Sequence, residues 1–166
     1  MRYVCIFYSL LGFVTINTQC TFAPFNSEKT VGMESKKIVK SEEEWKKELG
    51  PDRYHIMREK GTEPPFSGKY YMHFEKGVYK CAACGYELFT SDMKFESPCG
   101  WPSFDDEIGN NERIIKKPDY SYGLIRTEIL CARCDSHLGH LFDDGPTSTG
   151  KRYCVNSLSI EFEPKQ

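Results

Sequence analysis

The sequence predicts a mainly β domain of antiparallel strands preceded by two short helices. Three observations carry that expectation. Helix signals cluster between Ser41 and Gly61. From Thr62 onward, short β-rich runs recur at close spacing and are separated by turn residues. Two Cys-x-x-Cys pairs, Cys81/Cys84 and Cys131/Cys134, interrupt those runs and offer four thiolates to one tetrahedral ion.

Taken in order, the chain of 166 residues opens unlike the rest. Met1-Arg2-Tyr3 precedes the apolar run Val4 to Val14, and the first acidic residue is Glu28. One positive charge, a short apolar block and then Thr18-Gln19-Cys20 resemble a secretory signal, so residues 1–23 are expected to be a signal peptide. The alternatives are a mitochondrial presequence, which usually carries more arginines, and a retained anchor, for which the run is short. The expected compartment is therefore the secretory pathway, with the mitochondrion as the alternative and no membrane attachment in the mature form. Cleavage would remove Cys5 and Cys20 and leave six cysteines of the original eight.

Residues 24–40 are polar and read as a linker, leaving 41–166 as one domain of ordinary size. Ser41-Glu42-Glu43-Glu44 is a capping box, Trp45 and Leu49 share a helix face, and Gly50-Pro51 ends the first helix. Asp52 caps a second helix, running to Lys60 and stopped by Gly61. Strands are expected at Val78–Cys81, Glu87–Phe89, Arg113–Lys116, Tyr122–Leu130 and His137–Phe142, with Asp143–Pro146 as a turn. A last β run begins at Tyr153, continues through Val155, Leu158, Ile160 and Phe162, and is closed by Pro164. Net charge is −2, which leaves no nucleic-acid footprint, and the domain is expected to be a monomer.

Chemistry concentrates in the cysteines. Cys81, Cys84, Cys131 and Cys134 match a closed Cys₄ zinc site, whose four protein ligands make the Zn²⁺ structural. The alternative is two redox pairs or two disulfides, which would be strained within such tight turns. The pairs are 46 residues apart, against the 15–20 of a compact ribbon, so the metal pins a large insertion. Gly and Pro around Cys99 and Trp101 make that insertion an irregular loop. Trp101 by itself reads more readily as a core or surface-anchoring residue than as a ligand contact. Cys154 lies two residues after Arg152 and two before Asn156, and a neighbouring cation favours a thiolate, although a lone cysteine is commonly inert. Cys99 and Cys154 are the two cysteines left after the metal, the inventory of a reaction that cycles through a disulfide. His137 and His140 follow the second pair. They are surplus as ligands and free to donate a proton.

Four motifs, in order, carry a resemblance: Gly61–Phe66 (GTEPPF), Cys99–Phe104 (CGWPSF), Cys131–His140 (CARCDSHLGH) and Arg152–Ser157 (RYCVNS). Across residues 41–163 the chain resembles the methionine-R-sulfoxide reductases of the B type, departing at Pro98, where a small residue such as glycine is more usual. The resemblance implies two antiparallel sheets with short N-terminal helices and a zinc site opposite the catalytic face. It also implies Cys154 as nucleophile and Cys99 as resolving thiol, with Trp101, His137, His140, Arg152 and Asn156 at the substrate site. The R stereochemistry comes from it alone.

The implied reaction is chemically consistent. A Cys154 thiolate attacks the sulfoxide sulfur while a histidine protonates the departing oxygen, leaving a sulfenic acid that Cys99 closes to a disulfide. A dithiol such as thioredoxin would then reopen it, and the substrate would be methionine sulfoxide in proteins or peptides. Two other classes stand against this reading: a zinc-stabilised binding module without catalysis, and a thiol peroxidase.

Overall fold

The computed structural model describes residues 36–165, so the expected targeting segment and most of the expected linker lie outside the described residues. Helix α1 (Glu42–Met57) begins as the capping box requires: Ser41 Oγ accepts from the Glu44 amide, and the Glu44 carboxylate accepts from the Ser41 amide at 2.8 Å. The two expected helices are two halves of this element, broken at Gly50, whose φ of +69° is helix-incompatible and suits a residue without Cβ. Pro51 starts the second half, where its missing N–H costs nothing. That half stops at Met57 rather than Lys60, because Lys60 has turned to φ +59°.

Among the described residues nine strands follow: β1 (Gly77–Cys81), β2 (Glu87–Thr90), β3 (Lys94–Phe95), β4 (Ser103–Phe104), β5 (Ile114–Asp119), β6 (Arg126–Cys131), β7 (His137–Phe142), β8 (Arg152–Val155) and β9 (Ile160–Pro164). They form two sheets, β2-β1-β9 and β3-β4-β8-β7-β6-β5, with every pairing antiparallel. The C-terminal β run expected from Tyr153 to Phe162 is two strands in different sheets. A 3₁₀ turn over Ser157–Ser159 carries the chain from β8 to β9 between them. The expected strand over Tyr122–Leu130 starts only at Arg126, because a 3₁₀ turn occupies Ser121–Gly123.

The core lies where both sheets and α1 meet. Trp45, Met57, Tyr79, Phe89, Phe104, Leu138, Tyr153 and Ile160 are buried there, and Phe89 stacks on Phe104 with ring centroids 4.2 Å apart. Each such side chain withdrawn from water contributes about 1.5–3 kcal/mol before entropy is counted. Cross-strand register then orders the chemistry. Glu128 on β6 pairs with His140 on β7, His140 with Cys154 on β8, and Cys154 with Ser103 on β4. Residues paired across strands share a face, so one row of the larger sheet carries these four side chains.

Candidate active site

Cys154 occupies the middle of that row, and its position follows from Gly139. A Cβ on Gly139 would lie 2.0 Å from the Cys154 carbonyl oxygen, so only glycine lets β7 approach β8 this closely. Cys154 lines a cavity of about 110 Å³ with Trp101, His140, Phe142, Asn156 and Arg126 among its walls. The Cys99 Sγ lies 3.8 Å from the Cys154 Sγ and 3.4 Å from the Ser103 hydroxyl, on an irregular loop as expected. Neither cysteine is disulfide-bonded.

The two sulfurs ionise as a pair. Hydrogen bonding from the Cys154 thiol, helped by the Ser103 and Ser97 hydroxyls, holds Cys99 down to about 4 despite burial. Cys154 is pushed up by its bond to Cys99, by burial and by the Cys99 charge, while the Arg152 guanidinium pulls it back. One proton is therefore shed easily and the second held tightly.

The remaining wall residues are held by backbone. The Trp101 Nε1–H donates to the Glu63 carbonyl at 3.0 Å. The Asn156 Oδ1 accepts from the Glu63 amide at 3.1 Å, and its Nδ2 donates to the Leu138 carbonyl at 3.2 Å. The buried Glu63 carboxylate accepts the amides of Ser157 and Leu158 at 2.6 and 3.1 Å. One residue of the GTEPPF motif thus fixes the indole, the amide and the turn after β8.

Asp119 on β5 holds His140 through Nε2 at 2.8 Å and accepts from Arg126 at 2.7 Å. Hydrogen bonds from Ser121, with His140 and Arg126 beyond them, keep its carboxyl far below the usual range, so it stays ionised. His137 stands behind His140, ring centroids 5.6 Å apart, and does not line the Cys154 cavity. It borders an adjoining polar cavity of about 340 Å³, with its Nδ1 2.9 Å from the buried Glu128 carboxylate and its Nε2 without a hydrogen-bond partner. Arg152 also lies outside the Cys154 cavity, facing the Cys99 side and paired twice with Asp144 at 2.8 and 2.9 Å. Cys154, Cys99, Trp101, His140 and Asn156 are thus brought together directly. Sequence reasoning missed Asp119, Glu128, Arg126 and Glu63, which reach the site across strands or from a remote turn.

Away from this cavity, Cys81, Cys84, Cys131 and Cys134 gather with all four sulfurs within 4.8 Å of one another. The Cys81–Cys134 and Cys84–Cys131 contacts are 3.7 and 3.6 Å, too long for disulfides. A tetrahedral ion with metal–sulfur bonds of about 2.3 Å gives edges of about 3.8 Å, so the donor set fits a closed tetrathiolate metal site. Cys81 ends β1 and Cys84 lies in the turn after it, while Cys131 ends β6 and Cys134 lies in the turn after that, so the cluster joins the two sheets.

The family model described as the SelR domain matches residues 49–164. The chain is 59% identical over 134 residues to the peptide methionine sulfoxide reductase MsrB of Methanosarcina barkeri, covering 81% of this chain and 94% of that protein. The protein of the same name from Methanosarcina mazei is 56% identical over 134 residues, with 81% and 95% covered. That of Bradyrhizobium diazoefficiens is 53% identical over 129 residues, with 78% and 92% covered.

Proposed function

Because this chain belongs to the MsrB family of peptide methionine sulfoxide reductases, we propose that it reduces methionine-R-sulfoxide in proteins and peptides through a Cys154 sulfenic acid and a Cys154–Cys99 disulfide. The observation that carries the proposal is the sulfur pair, 3.8 Å apart, with only Cys154 opening into the cavity walled by Trp101, His140 and Asn156.

Moving the shared proton to Cys99 leaves Cys154 as the thiolate, favoured by the Arg152 guanidinium. The substrate S-methyl lies against the Trp101 indole, a sulfur–aromatic contact that a peroxide could not make. His140, oriented by Asp119, delivers the proton to the sulfoxide oxygen as Cys154 attacks sulfur. The oxygen leaves on Cys154 as a sulfenic acid and methionine departs. Cys99 then displaces that oxygen as water, giving the disulfide, which a dithiol such as thioredoxin reduces. His137 sits one layer back, where Glu128 fixes its tautomer. The four clustered cysteines suit Zn²⁺, which with four protein ligands has a structural role. We further propose that residues 1–23 direct export and are removed, leaving 24–40 as a linker; N-terminal sequencing of the mature protein and imaging of a C-terminally tagged chain test this.

The decisive assay gives the purified protein a methionine-R-sulfoxide peptide and dithiothreitol. Wild type should turn over, and Cys154→Ser should abolish activity, since a neutral hydroxyl is a far weaker nucleophile than a thiolate. Appreciable reduction by that variant would move the nucleophile elsewhere. Loss of thiols to hydrogen peroxide but not to the sulfoxide would make the protein a peroxidase.

A further inference from the structure

Cys99 sits in a loop, residues 97–101, that a second segment grips on both sides. That segment is a strap, residues 63–74. On the N-terminal side of Cys99 the Tyr71 hydroxyl donates to the Ser97 carbonyl at 3.0 Å. On the C-terminal side the Phe66 amide donates to the Gly100 carbonyl at 2.8 Å, and the Glu63 carbonyl accepts from the Trp101 indole at 3.0 Å. Packing there is close: a Cβ on Gly100 would meet the Pro65 Cβ at 2.7 Å and the Phe66 nitrogen at 2.9 Å. Between the two grips Pro98 fixes its own φ, which narrows the paths open to Cys99.

The strap is itself constrained. Phe66 has φ +66°, a left-handed backbone that a residue with a Cβ adopts only when its surroundings hold it there. Its exposed ring meets the Tyr71 ring edge-on, with centroids 5.4 Å apart. The buried Lys94 ammonium donates to the Tyr71 carbonyl at 2.8 Å and lies 3.9 Å from the centre of the Phe74 ring. Lys94 belongs to β3, which pairs with β4, the strand that sets Ser103 opposite Cys154. Tyr71 is thus anchored to the sheet that carries the reactive sulfur.

Forming the disulfide gives this grip a use. The two sulfurs stand 3.8 Å apart, against about 2.05 Å in a disulfide, so they must close by about 1.8 Å. Cys99 must also arrive opposite the S–O bond. A loop free to swing seldom presents that geometry, whereas a tethered one holds the thiol at high effective concentration. We propose that Tyr71 is a positioning residue for the resolving step, its hydroxyl latching loop 97–101 so that Cys99 meets the Cys154 sulfenic acid as it forms. The proposal rests on the cycle proposed above and names what sets the rate of its second step. In that step the Cys99 sulfur bonds to the Cys154 sulfur, the S–O bond breaks, and the hydroxyl departs with the Cys99 proton as water. Cys154 is reduced and Cys99 oxidised to the disulfide level. The Tyr71 hydroxyl acts through the Ser97 carbonyl and not on either sulfur. A fast second step also shortens the time in which the sulfenic acid can oxidise further.

Tyr71→Phe keeps the ring and removes only the hydroxyl, so its melting temperature should stay close to wild type. In a single turnover with a methionine-R-sulfoxide peptide and no reductant, both proteins should release methionine at the same rate. Dimedone present during that turnover competes with Cys99 for the sulfenic acid, whichever step is slower. The dimedone concentration that diverts a fixed fraction of enzyme to the Cys154 adduct should be about threefold to tenfold lower in the variant, the factor one hydrogen bond carries. In a Cys99→Ser background the Tyr71→Phe change should leave dimedone labelling unaltered. An unchanged or raised dimedone requirement overturns the latch. So does a change in the Cys99→Ser background, which would place the effect in access to Cys154, or a parallel loss of methionine release, which would make Tyr71 a general structural residue. Wild type that forms neither adduct nor Cys99–Cys154 disulfide overturns the cycle itself, a failure read without the variant.

Discussion

At the scale of single residues, the proposed reaction divides the site into groups that would touch the reacting atoms and groups that hold those in place. Trp101 is half-buried, and its side chain is held by the indole N–H at the ring edge, so the face of the ring remains available to a ligand. Trp101→Ala should lower kcat/KM by about tenfold or more, since a sulfur–aromatic contact of about 1 kcal/mol is lost together with apolar burial. Its melting temperature should stay close to wild type; collapse of the fold with normal kinetics in the surviving fraction would make Trp101 a core residue. His137 behaves differently. Burial depresses its pKa, with Glu128 opposing, while Lys60 and His137 outweigh burial to depress that of Glu128. Both groups bind protons less readily folded than unfolded, so the stability they contribute is complete above the unfolded histidine value. It drains away as pH falls below about 6.5. Melting temperatures measured from pH 8 to 5 should decline, and His137→Gln should flatten the decline below pH 6.5. Equal slopes in the two proteins would exclude His137 as the cause.

At the scale of elements, the reactive row depends on how closely β7 and β8 approach. Gly139→Ala puts a methyl group into the Cys154 carbonyl, which is backbone and cannot rotate away. The strain should cost about 1–3 kcal/mol, seen in denaturant melts, and should displace Cys154 enough to lower kcat as well. A variant with wild-type stability and rate would show that the strands can part without consequence. This row also marks the limit of what the sequence discloses. The four metal-cluster cysteines, Cys99, Trp101 and Cys154 lie in compact local motifs, and the capping box at Ser41 is satisfied as read. Asp119, Glu128 and Arg126 reach the histidines only through β5–β6–β7 register, which no local pattern encodes. Strands β3 and β4 are two residues each, too short for any periodicity to register. The division of the last β run escaped for another reason. Val155 and Ile160 are both apolar and buried, and nothing in that alternation says that the chain changes sheets between them.

For the whole molecule, the cysteine cluster is the join between sheets. Metal binding to such a site contributes on the order of 10 kcal/mol or more, comparable with the net stability of a domain. Chelation, or Cys81→Ser, should therefore unfold the protein, read as loss of the native circular dichroism signal along with released metal. A metal-free protein with unchanged melting would show that the aromatic core alone holds the sheets together. The pairing of β1 with β9, Gly77 opposite Pro164, has a further consequence for synthesis. A ribosome delivers the four clustered cysteines before it delivers Cys154, and β9 after both. The metal-binding turns can close on a nascent chain while β1 still lacks its C-terminal partner. A chain stalled before residue 152 would hold all four clustered cysteines yet lack both Cys154 and the strand that completes the smaller sheet.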